Sequence, residues 1–319
     1  MTDMPEAPRT LVIALGGNAI LRRNDDGTIT TQFERADASM RHITALAAAG
    51  DRLVLTHGNG PVVGNIMLRN EAARDLVPPM PLYIAVADSE GGIGLMLQMS
   101  LHNQLRLTHV TRPVVSVITQ CVVDADDPAF GSPAKPIGPY FDAESAARLT
   151  AAEGWTFAEE GGRGWRRVVA SPRPRRIVEA ETIGRMAGEG DIVIAAGGGG
   201  VPVLEHKDGT LEGVDAVIDK DWASALLACE IGAEILIILM EEAQVYTGYG
   251  TPQQRALERL TITEADELLA GDELAKGSIR PKIEACAHFA RTCGRDAIIC
   301  AVGSLEDALA GRAGTRIVP

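Results

Sequence analysis

"LVIALGGNAI", residues 11–20, decides how the rest of the chain is read. Leu11–Leu15 is an unbroken apolar run of strand length, and Gly16-Gly17-Asn18 closes it with a turn. A run with no polar face suits a strand covered on both sides in a parallel sheet. The layout returns at "RLVLTHGNGP", residues 52–61, where Leu53–Thr56 is followed by His57-Gly58-Asn59-Gly60 and Pro61 opens a helix. It returns again where Ile192–Ala196 runs into Gly197-Gly198-Gly199-Gly200. Val114–Ile118, Ile235–Leu239 and Ala297–Val302 are further buried-strand patterns.

Helical patterns lie between these runs: Phe33–Ala49, Glu90–Thr108, Asp142–Glu153, Trp222–Ile231 and Pro281–Cys293. Four of them stop at a glycine, namely Gly50, Gly154, Gly232 and Gly294, which is how helices commonly end. Thr263-Glu-Ala-Asp266 and Ser304-Leu-Glu-Asp307 read as capping-box-like helix starts. The alternation predicts an α/β domain on a parallel sheet, with the three glycine turns gathered at one sheet edge where ligands bind in such folds. Glycine turns of this kind let backbone N–H groups approach phosphate oxygens. None of the three fits GxGxxG or GxxxxGK[ST], so neither the Rossmann nor the P-loop reading applies.

Residues 122–172 break the rhythm. "DADDPAFGSPAKPIGPYF" is Pro- and Gly-rich and reads as irregular, and Trp155-Thr-Phe157 with Trp165–Val169 reads as a hairpin around Gly161–Gly164. This stretch is expected to protrude from the α/β domain.

The net charge of −13 argues against nucleic acid or an anionic membrane as partner, so a phosphate site must be a local arrangement of lysines and backbone amides. The N-terminal residues do not resemble a signal peptide, and no run reaches the roughly 20 apolar residues that cross a bilayer. A cytoplasmic location is therefore expected. Cys121, Cys229, Cys286, Cys293 and Cys300 show no CxxC spacing and read as buried thiols rather than a disulfide frame or zinc site.

Arginine is the common base, so the five lysines stand out. Lys207 and Lys276 read as solvated surface residues. Lys220 stands between Asp219 and Asp221 before a helix, Lys282 stands beside Pro281 at another helix start, and Lys135 lies in the protrusion. One neighbouring carboxylate can aim the Lys220 ammonium while the other does separate work. An exposed helix start with acids near the positive end of its dipole is the competing reading.

"ALGGNAI", "THGNGPVVGN", "DPAFGSPAKPIGPYF", "GRGWRRVVASPRP", "IAAGGGGVPV", "GVDAVIDKDWASALLA" and "GSIRPKIEAC" resemble, in order, the successive motifs of the carbamate kinases within the amino-acid kinase family. The resemblance spans about Leu11 to Thr315. It implies a single domain over residues 1–319, an open, mostly parallel sheet in a three-layer αβα sandwich with a small protruding subdomain. About 1–190 would form an acceptor lobe and about 191–319 a nucleotide lobe. It implies reversible phosphoryl transfer between ATP and carbamate giving carbamoyl phosphate and ADP, with Mg²⁺ supplied alongside the nucleotide, in a homodimer. By the same resemblance Gly16, Gly17 and Asn18 match the turn that meets the transferring phosphoryl group, and His57, Gly58, Asn59 and Gly60 match the acceptor-side turn. Lys220 and Lys282 match the lysines that neutralise that group, Asp221 the aspartate that organises them, and Lys135 the lysine brought by the subdomain. Gly197, Gly198 and Gly199 with Asp219 match the nucleotide side, and Val245, Tyr246 and Tyr249 the base-binding stretch. Relatives in the wider family carry lysine where Asn18 stands, and Lys135 supplies that charge here.

The chain departs from the family pattern at Val62, at Val86, Asp88, Glu90 and Gly92, and at Met240 and Thr251. Glu90 stands where glutamine is expected. New acids near an acceptor pocket would repel an anionic substrate. The altered Val86–Gly92 stretch raises one rival, a same-fold kinase with a different small carboxylate or phosphate acceptor; a second rival of another class is a catalytically silent nucleotide-binding regulator, against which the intact Lys135, Lys220, Asp221 and Lys282 set speaks.

Overall fold

Alternate residues of the first strand feed opposite cores. Leu11, Ile13 and Leu15 pack into one apolar cluster, and Val12 and Ala14 into another. A strand apolar at every position is thus covered by helices on both faces, as its composition requires. The computed structural model describes residues 8–21, 25–271, 273–274 and 279–319.

In chain order the first third holds β1 (Thr10–Leu15), α1 (Ile29–Ala48), β2 (Arg52–His57), α2 (Gly60–Ala72), α3 (Leu82–Leu107) and β3 (Val114–Ser116). The middle holds β4 (Gln120–Val123), β5 (Lys135–Phe141), α4 (Ala143–Glu153), β6 (Thr156–Glu159), β7 (Trp165–Val169), β8 (Pro174–Ile177) and α5 (Ala180–Gly188). Then come β9 (Ile192–Ile194), β10 (Val201–Glu205), β11 (Leu211–Gly213), α6 (Lys220–Glu230), β12 (Ile235–Met240), β13 (Val245–Thr247), β14 (Arg255–Leu257), β15 (Arg259–Thr261) and α7 (Ile262–Ala270). The chain closes with α8 (Ile279–Cys293), β16 (Ala297–Ala301), α9 (Leu305–Leu309) and β17 (Thr315–Val318).

The main sheet has the order β15-β17-β16-β12-β1-β2-β9-β3, and only the β16–β17 pairing is antiparallel. Helices α1, α3 and α9 contribute to the core on one face, and α5, α6, α7 and α8 to the core on the other. This is the expected αβα sandwich. The sheet is continuous, and β9, past residue 190, inserts between β2 and β3 of the first half.

The protrusion is narrower than the sequence suggests. β5, β7 and β6 form a three-stranded sheet with α4 beside it, spanning residues 135–169. Val122 and Val123 instead belong to β4, in a second sheet of order β11-β10-β4-β8. The Pro-rich segment expected to be irregular contributes β5, which is possible because β5 is an edge strand, where Pro136 and Pro139 need not donate on both sides. The protrusion docks on α2 through two glycines. A Cβ on Gly64 would lie 1.8 Å from the Gly138 Cα.

Two helices start earlier than their patterns suggest. α1 begins at Ile29 rather than Phe33 because Thr28 caps it, accepting from the Thr31 N–H, and so offsets a β-branched first turn. α3 begins at Leu82 rather than Glu90, burying Leu82, Ala85, Val86 and Ser89 at helical spacing. The capping box is formed by Thr261 and Glu264, two residues before the one expected, and Ser304 makes no side-chain cap bond. The cysteine reading also needs correction. Cys229 at the end of α6 and Cys293 at the end of α8 sit sulfur to sulfur with Cα atoms 6.0 Å apart, a separation suited to a disulfide. They are 64 residues apart in sequence, so spacing could not pair them. Cys121, Cys286 and Cys300 are free and buried, as expected.

Gly64→Ala places a methyl group against backbone that has no rotamer to yield. It is expected to lower unfolding stability by about 1–3 kcal/mol and to speed proteolysis within residues 135–169. Denaturant titration and timed digestion check both.

Candidate active site

Parallel strands bring their carboxyl ends to one edge, and the three glycine turns meet there. Leu15 pairs with His57 in register, and the Gly58 N–H donates to the Leu15 carbonyl at 3.2 Å. A Cβ on Gly58 would sit 3.5 Å from Lys220 Cδ and 3.7 Å from the Gly17 nitrogen. The third turn presses on the second. A Cβ on Gly197 would lie 2.4 Å from His57 Nε2, and one on Gly198 would lie 2.5 Å from Asn59 Nδ2. Gly198 and Gly199 have φ of +66° and +97°, and Ala196 before them is held at +49°, where a side chain costs energy. Gly60 opens α2 behind Asn59, with Pro61 in its first turn. Asn18 lies in the helical turn Gly17–Ala19, and its side chain is outside the described residues.

The charge at this edge is built by two helices. Asp219 caps α6, accepting from the Asp221 N–H at 2.9 Å. Asp221 is buried and takes both catalytic candidates. Lys220 Nζ contacts its Oδ1, and Lys282 Nζ, from α8, donates to its Oδ2 at 3.0 Å. Burial alone would push the Asp221 carboxyl up, but Lys220 and Lys282 more than reverse this and hold it at about 2. Burial pushes the Lys220 ammonium below its ordinary range, and the Lys282 charge adds to that. Lys135 reaches in from β5 and donates to Asp219 Oδ2 at 2.6 Å. The five residues that the sequence singled out therefore form two ion-paired groups, Lys135–Asp219 and Lys220–Asp221–Lys282, joined by the Asp221 N–H on Asp219. Lys207 is exposed, and Lys276 lies outside the described residues.

A cleft of about 560 Å³ opens beside them. Gly16, Gly17, Lys220 and Lys282 line it, together with residues that sequence reasoning missed: Ser39, Leu239, Glu241, Glu242, Ala301 and Val302. Several of these follow or end β12 and β16, so strand order would have found them, whereas no motif marks them. Met240, one of the departures, is also on the wall. Tyr246 and Tyr249 lie next to one another, ring centroids 5.9 Å apart, and neither lines this cleft. The Val245 side chain cannot serve as a base contact. It is fully buried in the core, and its N–H donates to Thr315 Oγ1 at 2.9 Å.

The other departures fall into different places. Val86 is core, Asp88 and Gly92 are on the exposed side of α3, Val62 packs at the rim of a core cluster, and Thr251 bonds the Gly248 carbonyl at 2.7 Å in an exposed turn. Glu90 is 1% exposed and accepts backbone N–H groups from Gly197 at 2.8 Å and Thr119 at 3.1 Å. Neither acid lines the cleft beside Lys220.

His57 is buried with Nδ1 3.1 Å from the Gly58 carbonyl oxygen. A carbonyl only accepts, so Nδ1 carries the proton and Nε2 is a bare acceptor. Burial pushes its pKa down to about 4, so the ring is neutral. The unfolded chain binds this proton from about pH 6.5 downward and the folded chain only near 4. Stability from His57 is thus complete above 6.5 and is lost as pH falls through 4, on the order of 3 kcal/mol. Unfolding midpoints measured between these pH values should fall less steeply in His57→Gln than in wild type.

The sequence profile of the Amino acid kinase family matches residues 9–301. The carbamate kinase of Pyrococcus horikoshii is 43% identical over 314 residues, covering 98% of this chain and 100% of the relative. That of Escherichia coli O6:H1 is 45% identical over 309 residues, covering 97% and 99%. Among solved structures, carbamate kinase from Giardia lamblia bound to AMP-PNP superposes with a TM-score of 0.91 at 39% identity, covering 98% of this chain and 99% of that one. With the fold, the glycine turns and these near full-length likenesses in agreement, the chain belongs to the amino acid kinase family.

Proposed function

We propose that this chain is a carbamate kinase, transferring a phosphoryl group between ATP and carbamate to give ADP and carbamoyl phosphate. The observation that carries the reading is the pair of ammonium groups, Lys220 and Lys282, held on one buried carboxylate beside the glycine turns. The names of the full-length relatives support the acceptor, and the AMP-PNP complex of the Giardia protein supports an ATP-type nucleotide.

Carbamate brings its own anionic oxygen, so the attack needs no general base, which agrees with a neutral His57 whose proton is committed to a carbonyl. Catalysis is then alignment plus charge stabilisation. Backbone N–H groups of Gly16, Gly17 and Asn18 face the phosphoryl group in flight, and Lys220 and Lys282 neutralise the charge that spreads over its oxygens. Lys135 adds a third positive charge from the protrusion. His57–Gly60 holds the acceptor in this reading, and Asn59 packs its side chain against Gly198. Gly197–Gly199, Asp219, Tyr246 and Tyr249 serve the nucleotide in this reading, so that roughly the first 190 residues hold the acceptor and the rest the nucleotide. Mg²⁺ would neutralise phosphate charge. In this reading the ion arrives with the nucleotide, held by the nucleotide's own phosphates.

The homodimer belongs to the same proposal. Ile84, Leu95 and Met99 make an exposed apolar strip on α3, continued by Ile118. A cytoplasmic location rests on the sequence alone. No helix among the described residues is long and apolar enough to cross a membrane. Asp88 lies on the exposed side of α3 and does not line the cleft beside Lys220.

ATP formed from ADP and carbamoyl phosphate tests the reading. Lys220→Ala and Lys282→Ala should each lower kcat/KM by about 10²–10³, by analogy with loss of one transition-state donor, with circular dichroism unchanged. Wild-type rates in both variants would remove the site assignment. Lys135→Ala, whose side chain is more exposed, should cost about tenfold.

A further inference from the structure

Two connections root the protrusion, and one side chain at the root reaches both lysine-bearing helices. Asp127 Oδ2, on the entering connection, accepts the Arg173 N–H of the leaving one at 2.9 Å, so the two are tied together. The Val217 N–H donates to the Ala170 carbonyl at 3.0 Å and holds the start of the leaving connection to the segment before α6. Past that bond the connection and the helix starts share a hollow of about 210 Å³, lined by Pro172, Asp219, Trp222, Pro281 and Glu284. Arg173 bridges the two sides. Its Cζ lies 3.6 Å from the centre of the Trp222 ring on α6, and its Nη2 donates to Glu284 Oε2 on α8 at 3.3 Å. Trp222 follows Lys220 and Asp221 in the first turn of α6, and Glu284 is two residues past Lys282 on α8.

We infer that Arg173 is a positioning residue: its guanidinium, seated on Trp222 and paired with Glu284, locks the root of the protrusion to the two helices that carry Lys220 and Lys282, so that Lys135 enters the site in step with them. The inference rests on the proposed role of Lys135 in the reaction. Lys135 is the first residue of β5 and stands opposite Val169 in register, so it belongs to the root and not to the tip of the protrusion. The anchor formed by Gly138 on Gly64 lies on α2, which bears none of these lysines. The Ala170 bond fixes one point of the root against α6, and the Arg173 clamp fixes a second point three residues on. Lys135 has its own tie to the start of α6, the 2.6 Å bond to Asp219. An ammonium that turns toward a phosphoryl oxygen weakens that tie, whereas the clamp is untouched. A guanidinium suits the task because its flat face stacks on an indole while its edge still donates to a carboxylate. The Trp222 ring is backed in turn by His288 of α8, with ring centroids 5.1 Å apart, so the seat joins both helices.

Arg173→Ala keeps the backbone N–H on Asp127 and removes only the guanidinium. In ATP formation from ADP and carbamoyl phosphate it should lower kcat/KM about threefold to fivefold, the worth of one exposed cation–π seat. Added to Lys135→Ala it should cost nothing further, because the clamp acts through Lys135. A general structural effect would instead multiply the two losses. Arg173→Lys keeps a cation over Trp222 and should restore most of the rate. A second readout needs no turnover. Acylation of Lys135 by acetic anhydride, followed by mass spectrometry against the exposed Lys207, should rise several-fold in Arg173→Ala and stay near wild type in Arg173→Lys. Wild-type rate in Arg173→Ala beside a slowed Lys135→Ala overturns the inference. So does an Arg173→Ala loss that is undiminished in the Lys135→Ala background, and so does unchanged acylation of Lys135. A Lys135→Ala enzyme at full rate would remove Lys135 from the proposed reaction, and the acylation ratio would still decide whether Arg173 holds it in place.

Discussion

One buried carboxylate, Asp221, holds two ammonium groups from two helices, and the site is organised around it. Two lysines within reach of each other would repel and lose their charge in a dry setting. With Asp221 between them the trio carries one net positive charge, which an arriving phosphoryl group can balance. The arrangement also fixes helix positions, since Lys220 and Asp221 open α6 while Lys282 lies in the first turn of α8. Removing the carboxylate would leave buried charge without a counter-ion, which costs more than the pair itself contributes.

Such a cluster is useful only if a ligand can come close, and the glycine turns permit this. The strand ends at Leu15 and His57 are level, so the first two turns face the same space. The third turn packs against the second so tightly that no side chain fits at Gly197 or Gly198. The protrusion is docked by the same device at Gly64 and Gly138, which sets where Lys135 enters. Backbone contact fixes the walls, and the lysines supply the charge.

The acids that looked awkward in sequence illustrate how context decides chemistry. Asp88 and Glu90 are two residues apart on one helix, which turns them to different sides. Asp88 meets solvent, and Glu90 meets two backbone amides in the interior. Neither lines the cleft beside the lysines.

By itself the sequence determined the strands β1, β2, β12 and β16 to within a residue or two at each end, because runs apolar at every position admit one environment. It also determined helix ends marked by glycine, such as Gly154 at φ +67°, and singled out Lys135, Lys220 and Lys282 by rarity and motif. Tertiary structure alone decided the rest. It drew Asp219 to Lys135 across 84 residues, paired Cys229 with Cys293, placed Glu241 and Glu242 in the cleft, withdrew Val245 into the core and set Glu90 behind Gly197. The physical reason is that periodicity reports which face of an element is apolar. Which polar groups share a buried space depends on strand order and helix packing, and these bring together residues that no local pattern relates.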